Sequence, residues 1–150
     1  MKALLLSLLL GILLIGIIPD PAYSQTKQTP RSTAASGDSV GVIVNYVKAD
    51  KRMQFERFLH EIFWPGATKL SKEEQKVFRQ TRILQPTAAE PDGTYAYFFI
   101  MDPVIPKGNY DIENLLTRMF GETTGKEHLK LFTDALANEG KSYIEIQSRH

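Results

Sequence analysis

The chain of 150 residues contains no cysteine. Disulfides, thiolate metal sites, thiol nucleophiles and a lipid anchor on an N-terminal cysteine are therefore excluded together, and the fold must hold by its core alone. Histidine is scarce, with three residues, and there is one tryptophan. Neither charge dominates: 18 basic against 17 acidic residues leave a net charge of +1. That balance gives no electrostatic footprint for a nucleic-acid partner. No phosphate loop, dinucleotide fingerprint or nucleophile–His–acid set is present either.

What is present divides the chain in three. Lys2 precedes an apolar run, Ala3 to Ile18, shorter than the roughly 20 residues of a full membrane span. Pro19 and Pro21 break it, and Ala22-Tyr23-Ser24 places small residues before Gln25. This is the anatomy of a secretory signal peptide, residues 1–24, cleaved after Ser24 on export to the periplasm or medium. A mature N-terminus at Gln25 is the observable; Met1 retained on membrane-bound protein would mean an uncleaved anchor, the membrane's sole point of contact. Residues 25–38, polar and without periodicity, predict a disordered linker. Residues 39–150 form the folded domain.

Ser39–Lys48, rich in β-branched residues, predicts a strand. Asp50 is placed to cap the following helix, whose 100° wheel gathers Phe55, Phe58, Leu59 and Ile62 into one stripe. Ser71-Lys72-Glu73-Glu74 has the form of a capping box and can begin a short extra turn. Lys76–Gln85 predicts a second strand. Pro91-Asp92-Gly93 predicts a turn, and Tyr95–Met101 a third strand. Asp111–Phe120 has helical spacing. A second capping box at Thr124 predicts the start of a helix through Leu136, and Lys141–Gln147 a final strand. The order β-α-β-β-α-β is the ferredoxin-like α+β arrangement, an antiparallel sheet with its helices on one face.

Tyr95–Met101 is apolar or aromatic throughout, so both its faces need cover. Ala96, Phe98 and Ile100 are expected under the helices. Tyr95, Tyr97, Phe99 and Met101 are expected on the opposite face, lining a homodimer interface, since monomers seldom leave such a patch bare.

The element order, the opening VGVIVNYVKADKRMQFERFL and the central aromatic strand resemble the dimeric α/β barrel superfamily, in the style of antibiotic-biosynthesis-monooxygenase domains. The resemblance spans Val40 to Ser148. It implies two sheets meeting face to face, helices outside, and a choice among cofactor-free oxygenases, haem-degrading enzymes, isomerases and members without known activity. Haem-degrading members use an Asn, a Trp and a His, which directs attention to Asn45, Trp64 and His60.

Asn45 is the one polar residue inside the first strand, and a buried amide needs a partner or a cavity. Trp64, beside Pro65-Gly66, can fold over a pocket mouth. With Tyr97 these form the predicted ligand-binding set, for a small apolar ligand. Glu56, His60 and Trp64 recur every four residues, but the regular wheel turns all three toward solvent, so no metal or cofactor is assigned. The sequence points to a homodimeric barrel with a binding or structural role and no catalytic residue. The alternatives are a cofactor-independent monooxygenase or haem-handling enzyme, and a module that docks another protein through its apolar sheet face.

Overall fold

The computed structural model describes residues 31–149. The predicted signal peptide and the start of the linker lie outside the described residues. Within them no helix is long and apolar enough to cross a membrane.

Four strands form one antiparallel sheet: β1 (Ser39–Val47), β2 (Thr81–Leu84), β3 (Tyr95–Met101) and β4 (Lys141–Ile146), in the spatial order β2-β3-β1-β4. The two central strands are the ones whose sequences are apolar on both faces. The first helical segment, α1 (Arg52–Arg57), opens into a π-helical stretch, Phe58–Phe63, and closes with one turn, Trp64–Gly66. Then come α2 (Glu74–Gln80), α3 (Ile112–Phe120) and α4 (Glu122–Ala135). This is a ferredoxin-like α+β domain.

Several expectations need local correction. The Ser71–Glu74 box does form: the Ser71 hydroxyl donates to the Glu74 carboxylate at 2.6 Å, and the Glu74 N–H donates back to Ser71 Oγ. It starts a helix that runs to Gln80, so β2 begins only at Thr81. Asp50 makes no capping bond, the chain entering α1 through a 3-10 turn. Thr124 lies inside α4, which begins at Glu122, directly after Gly121. That glycine has φ of +82°, a conformation that favours residues without a Cβ, and it turns the chain from α3 into α4. By contrast α3 forms where the helical spacing of Asp111–Phe120 places it, and Asp111 caps it, accepting from the Asn114 N–H at 2.7 Å.

The predicted linker is tied down from Ser32 onward. Gln80 Nε2 donates to the Ser32 carbonyl, Ala34 N–H to the Asp102 carboxylate, and Gly37 N–H to the Gln147 carbonyl. Asp102 is held in turn by Arg82 at 3.0 Å.

The main correction concerns the two faces of β3. In the β1–β3 register Asn45 stands opposite Tyr97, Val47 opposite Tyr95, and Ile43 opposite Phe99. These residues, with Met101, lie under the helices. Tyr97 and Val47 are fully buried in the same core cluster as Phe55, Phe58 and Leu116. Tyr95, Tyr97, Phe99 and Met101 are thus core residues of one chain and not its dimer surface. The open face carries Ala96, Phe98 and Ile100, beside Val42, Val44 and Tyr46 of β1. Phe98 is 38% exposed, Leu84 48% and Tyr143 46%. A strand that is apolar on both sides gives no parity signal, and a one-residue slip exchanges its faces.

Candidate functional site

Between the helices and the helix-side face of the sheet lies a cavity of about 190 Å³. Its floor includes Ile43, Asn45, Phe99 and Met101; its wall includes Leu59, Phe63 and Trp64 from the π-helical stretch and the turn after it. The lining is mostly apolar, which follows from its position: β1, β3, the π-helical stretch, α2, α3 and α4 each contribute core-facing residues.

Asn45 is the exception. It is 7% exposed, and its side chain makes no hydrogen bond among the described residues. Gly140 sits against it: a Cβ at position 140 would stand 2.9 Å from Asn45 Oδ1 and 2.6 Å from the Val44 carbonyl oxygen. The glycine is what leaves room for the amide. The amide is open to the chamber, since among the described residues only His128 Nδ1 is both sealed and without a partner, so a water or a ligand in the cavity is expected to complete it.

Two further residues that carry polar groups, Tyr110 and Trp64, line the cavity. Tyr110 Oη accepts from the Ile105 N–H at 2.8 Å, which leaves its own proton to donate. Burial raises the Tyr110 pKa, so it stays neutral at physiological pH. The Trp64 indole is packed edge-on against Phe63 (5.6 Å between centroids) and Phe78 (5.4 Å), and no acceptor binds its N–H among the described residues. The Thr81 hydroxyl is occupied, donating to the Val77 carbonyl at 2.8 Å.

The structure therefore joins Asn45 and Trp64 in one site but separates Tyr97 from them. Tyr97, fully buried, turns its hydroxyl outward and donates to Glu56 Oε1 at 2.6 Å. Arg52 Nε meets the same oxygen at 2.9 Å and lies over the Tyr95 ring at 4.4 Å. Burial, then the bond to Glu56, pushes the Tyr97 pKa up to about 12. The hydrogen bond from Tyr97, followed by Arg52, holds Glu56 below its usual carboxylate range. The sequence wheel turned Glu56 to solvent; in the structure it pins α1 to β3.

A carboxylate whose folded pKa is depressed contributes stability that is complete above its unfolded pKa and fades as pH falls through the folded one. Glu56→Gln should therefore cost stability at pH 7 and shrink that cost as pH drops below about 4.5. Urea midpoints of the two proteins measured from pH 7 to 3 check this; a constant gap would assign the loss to packing alone.

His60, on the outer side of the π-helical stretch, bonds Gln85 at 2.8 Å and does not line the cavity. Haem, which the sequence resemblance raises as one option, does not fit this arrangement: no histidine is among the lining residues, the Tyr110 hydroxyl is kept neutral by burial and already accepts from the Ile105 N–H, and a chamber of about 190 Å³ is too small for a porphyrin. Among the described residues no group of three His, Asp or Glu is placed to hold a metal ion.

No family model matches the sequence, and no curated protein matches it. Among solved structures the chain is similar to one described as a "putative antibiotic biosynthesis monooxygenase" from Caulobacter crescentus CB15. The identity is 13%, over 76% of this chain and 92% of that one, with a TM-score of 0.41. At that identity and score, nothing about this chain's chemistry follows from the other protein's description.

Proposed function

We propose that the domain binds a small, largely apolar molecule in the cavity between sheet and helices, and that it does so as a two-fold dimer joined through its open sheet faces. The observation that carries the first part is the Asn45 amide, without a protein partner among the described residues, on the floor of a mostly apolar chamber. An engineered apolar cavity of about 150 Å³ accepts benzene. The chamber here, at about 190 Å³, suits one ring or a short branched chain bearing a single group that bonds an amide. Phenols and cyclic ketones have that chemistry.

The lining contains no Asp, Glu, His, Lys or Arg. Its ionisable group is Tyr110, held neutral by burial. A binding role is the reading this lining supports best, since general acid–base chemistry works through a group that titrates near the operating pH. For the second part, Phe98, Leu84 and Tyr143 present an apolar surface that a second copy of the same face would cover.

Phenol titrated into the wild-type protein should change the emission of Trp64, the sole tryptophan. Asn45→Leu should bind phenol about tenfold more weakly, the loss of roughly 1.4 kcal/mol of hydrogen bonding. Toluene, which has no hydroxyl, should bind the variant as well as it binds the wild type. Equal phenol affinity in both proteins would remove Asn45 from the site, and no binding of either probe by the wild type would remove the site.

A further inference from the structure

We infer that Pro65 is a positioning residue for this cavity: it forces the wide turn that swings Trp64 from the outer surface of the first helical segment into the cavity wall. The consequence for binding rests on the reading that the cavity holds a ligand; the placement of Trp64 does not.

The change of helical register is visible in the backbone. The Phe58 N–H still bonds Gln54, four residues back, as in an α-helix. The Trp64 N–H instead bonds the Leu59 carbonyl, five residues back. Proline follows immediately. A proline ring inside a regular helix meets the carbonyl of the residue four before it, here Glu61, and brings no N–H for that carbonyl to accept. Opening the turn by one residue relieves the clash, and such wide turns are otherwise rare.

The geometry that results is the reverse of what a regular wheel gives. At about 100° per residue, Trp64 would stand nine residues after Phe55 and so on the opposite side of the helix. One extra residue in the turn sets everything after it back by about 100°. Phe63 then moves from the edge of the stripe to its middle, Ile62 moves off it, and Trp64 comes round to the flank. The structure has Phe63 7% exposed, Ile62 half-buried, and Trp64 lining the cavity 6.5 Å from Phe99. Gly66 offers a rival cause. It packs against α3 so closely that a Cβ there would lie 2.7 Å from the Phe120 ring and 2.9 Å from Met119 Sδ. That contact needs the same rotation and could hold the turn without Pro65.

Two variants separate these causes, with Trp64 emission as the readout of position. Pro65→Ala should let the turn relax to α-helical spacing, giving red-shifted emission and acrylamide quenching raised about twofold or more. Phenol affinity should fall about tenfold. Deleting the exposed Glu61 in the Pro65→Ala background takes the extra residue out of the turn. The register of Phe63 and Trp64 should then return without a π-helix, restoring emission, quenching and phenol affinity to within about twofold of wild type.

Wild-type emission and quenching in Pro65→Ala would overturn the inference and assign the turn to Gly66. If Pro65→Ala does not fold, the double variant decides alone, and red-shifted emission from it would be equally fatal. If Trp64 moves as described but wild-type protein binds no phenol, the positioning role of Pro65 stands and the ligand reading falls.

Discussion

Phe98→Asp is expected to turn a dimer into a folded monomer, whereas Tyr97→Asp, one residue earlier, is expected to leave no folded protein. Phe98 stands opposite Val44 on the open face of the sheet and is 38% exposed in a single chain. A carboxylate there stays hydrated in the monomer. Across a two-fold interface it would be desolvated and set near its own symmetry mate, at a cost of several kcal/mol. Tyr97 is fully buried, its ring 4.8 Å from Phe55, so a carboxylate at its position would be desolvated within the core. Light scattering at micromolar concentration reads the mass, and near-UV circular dichroism reads the packing. A wild-type monomer, or a Phe98→Asp protein that stays dimeric, would show that the open faces do not pair. Retention of a different protein by wild type, lost in Phe98→Asp, would favour hetero-docking.

The same pair of residues shows how far the sequence could be read. The β-branched content of Ser39–Val47, the aromatic run of Tyr95–Met101 and the helical spacing of Asp111–Phe120 are local signals, and each element formed where its signal lies. Which face of β3 meets the helices is not a local property. Ala96, Phe98 and Ile100 are as apolar as their neighbours, and only the pairing of Asn45 with Tyr97 fixes the parity. The strand expected at Lys76–Gln85 began as a helix because its capping box closed, an interaction that outweighed the β-branched and aromatic residues downstream.

The site was legible in part for the same reason. A lone Asn in an apolar strand is a strong local signal, and Asn45 does face the cavity. From the residues themselves only its proline neighbour pointed to Trp64 as a pocket residue, beside the family resemblance, while the regular wheel argued against it. Proline was the clue that the wheel itself should change, since the ring forbids the regular spacing that the wheel assumes. Phe63, Tyr110 and Phe99 were invisible as site residues because the sequence signature of a cavity wall is the signature of a core.

Phe63→Ala is expected to destabilise the free protein by about 3–5 kcal/mol, the usual cost of removing a buried aromatic ring. The ring is stacked on Phe58 at 5.6 Å and tilted against Phe78 at 5.2 Å, so its loss strips contacts on both sides. It also borders the cavity, and the vacated volume opens directly into it. The variant should therefore accept a two-ring molecule that the wild type excludes. At a concentration of 1-naphthol one hundred times its Kd, binding to the folded state alone returns about 2.7 kcal/mol. Thermal unfolding of both proteins with and without 1-naphthol measures this. The expected pattern is a large rise in Tm for the variant and almost none for the wild type. A variant that loses stability but gains nothing from 1-naphthol would mean that its walls collapse inward. In that case the chamber is a packing fault of the core, and the ligand reading would lose its main support.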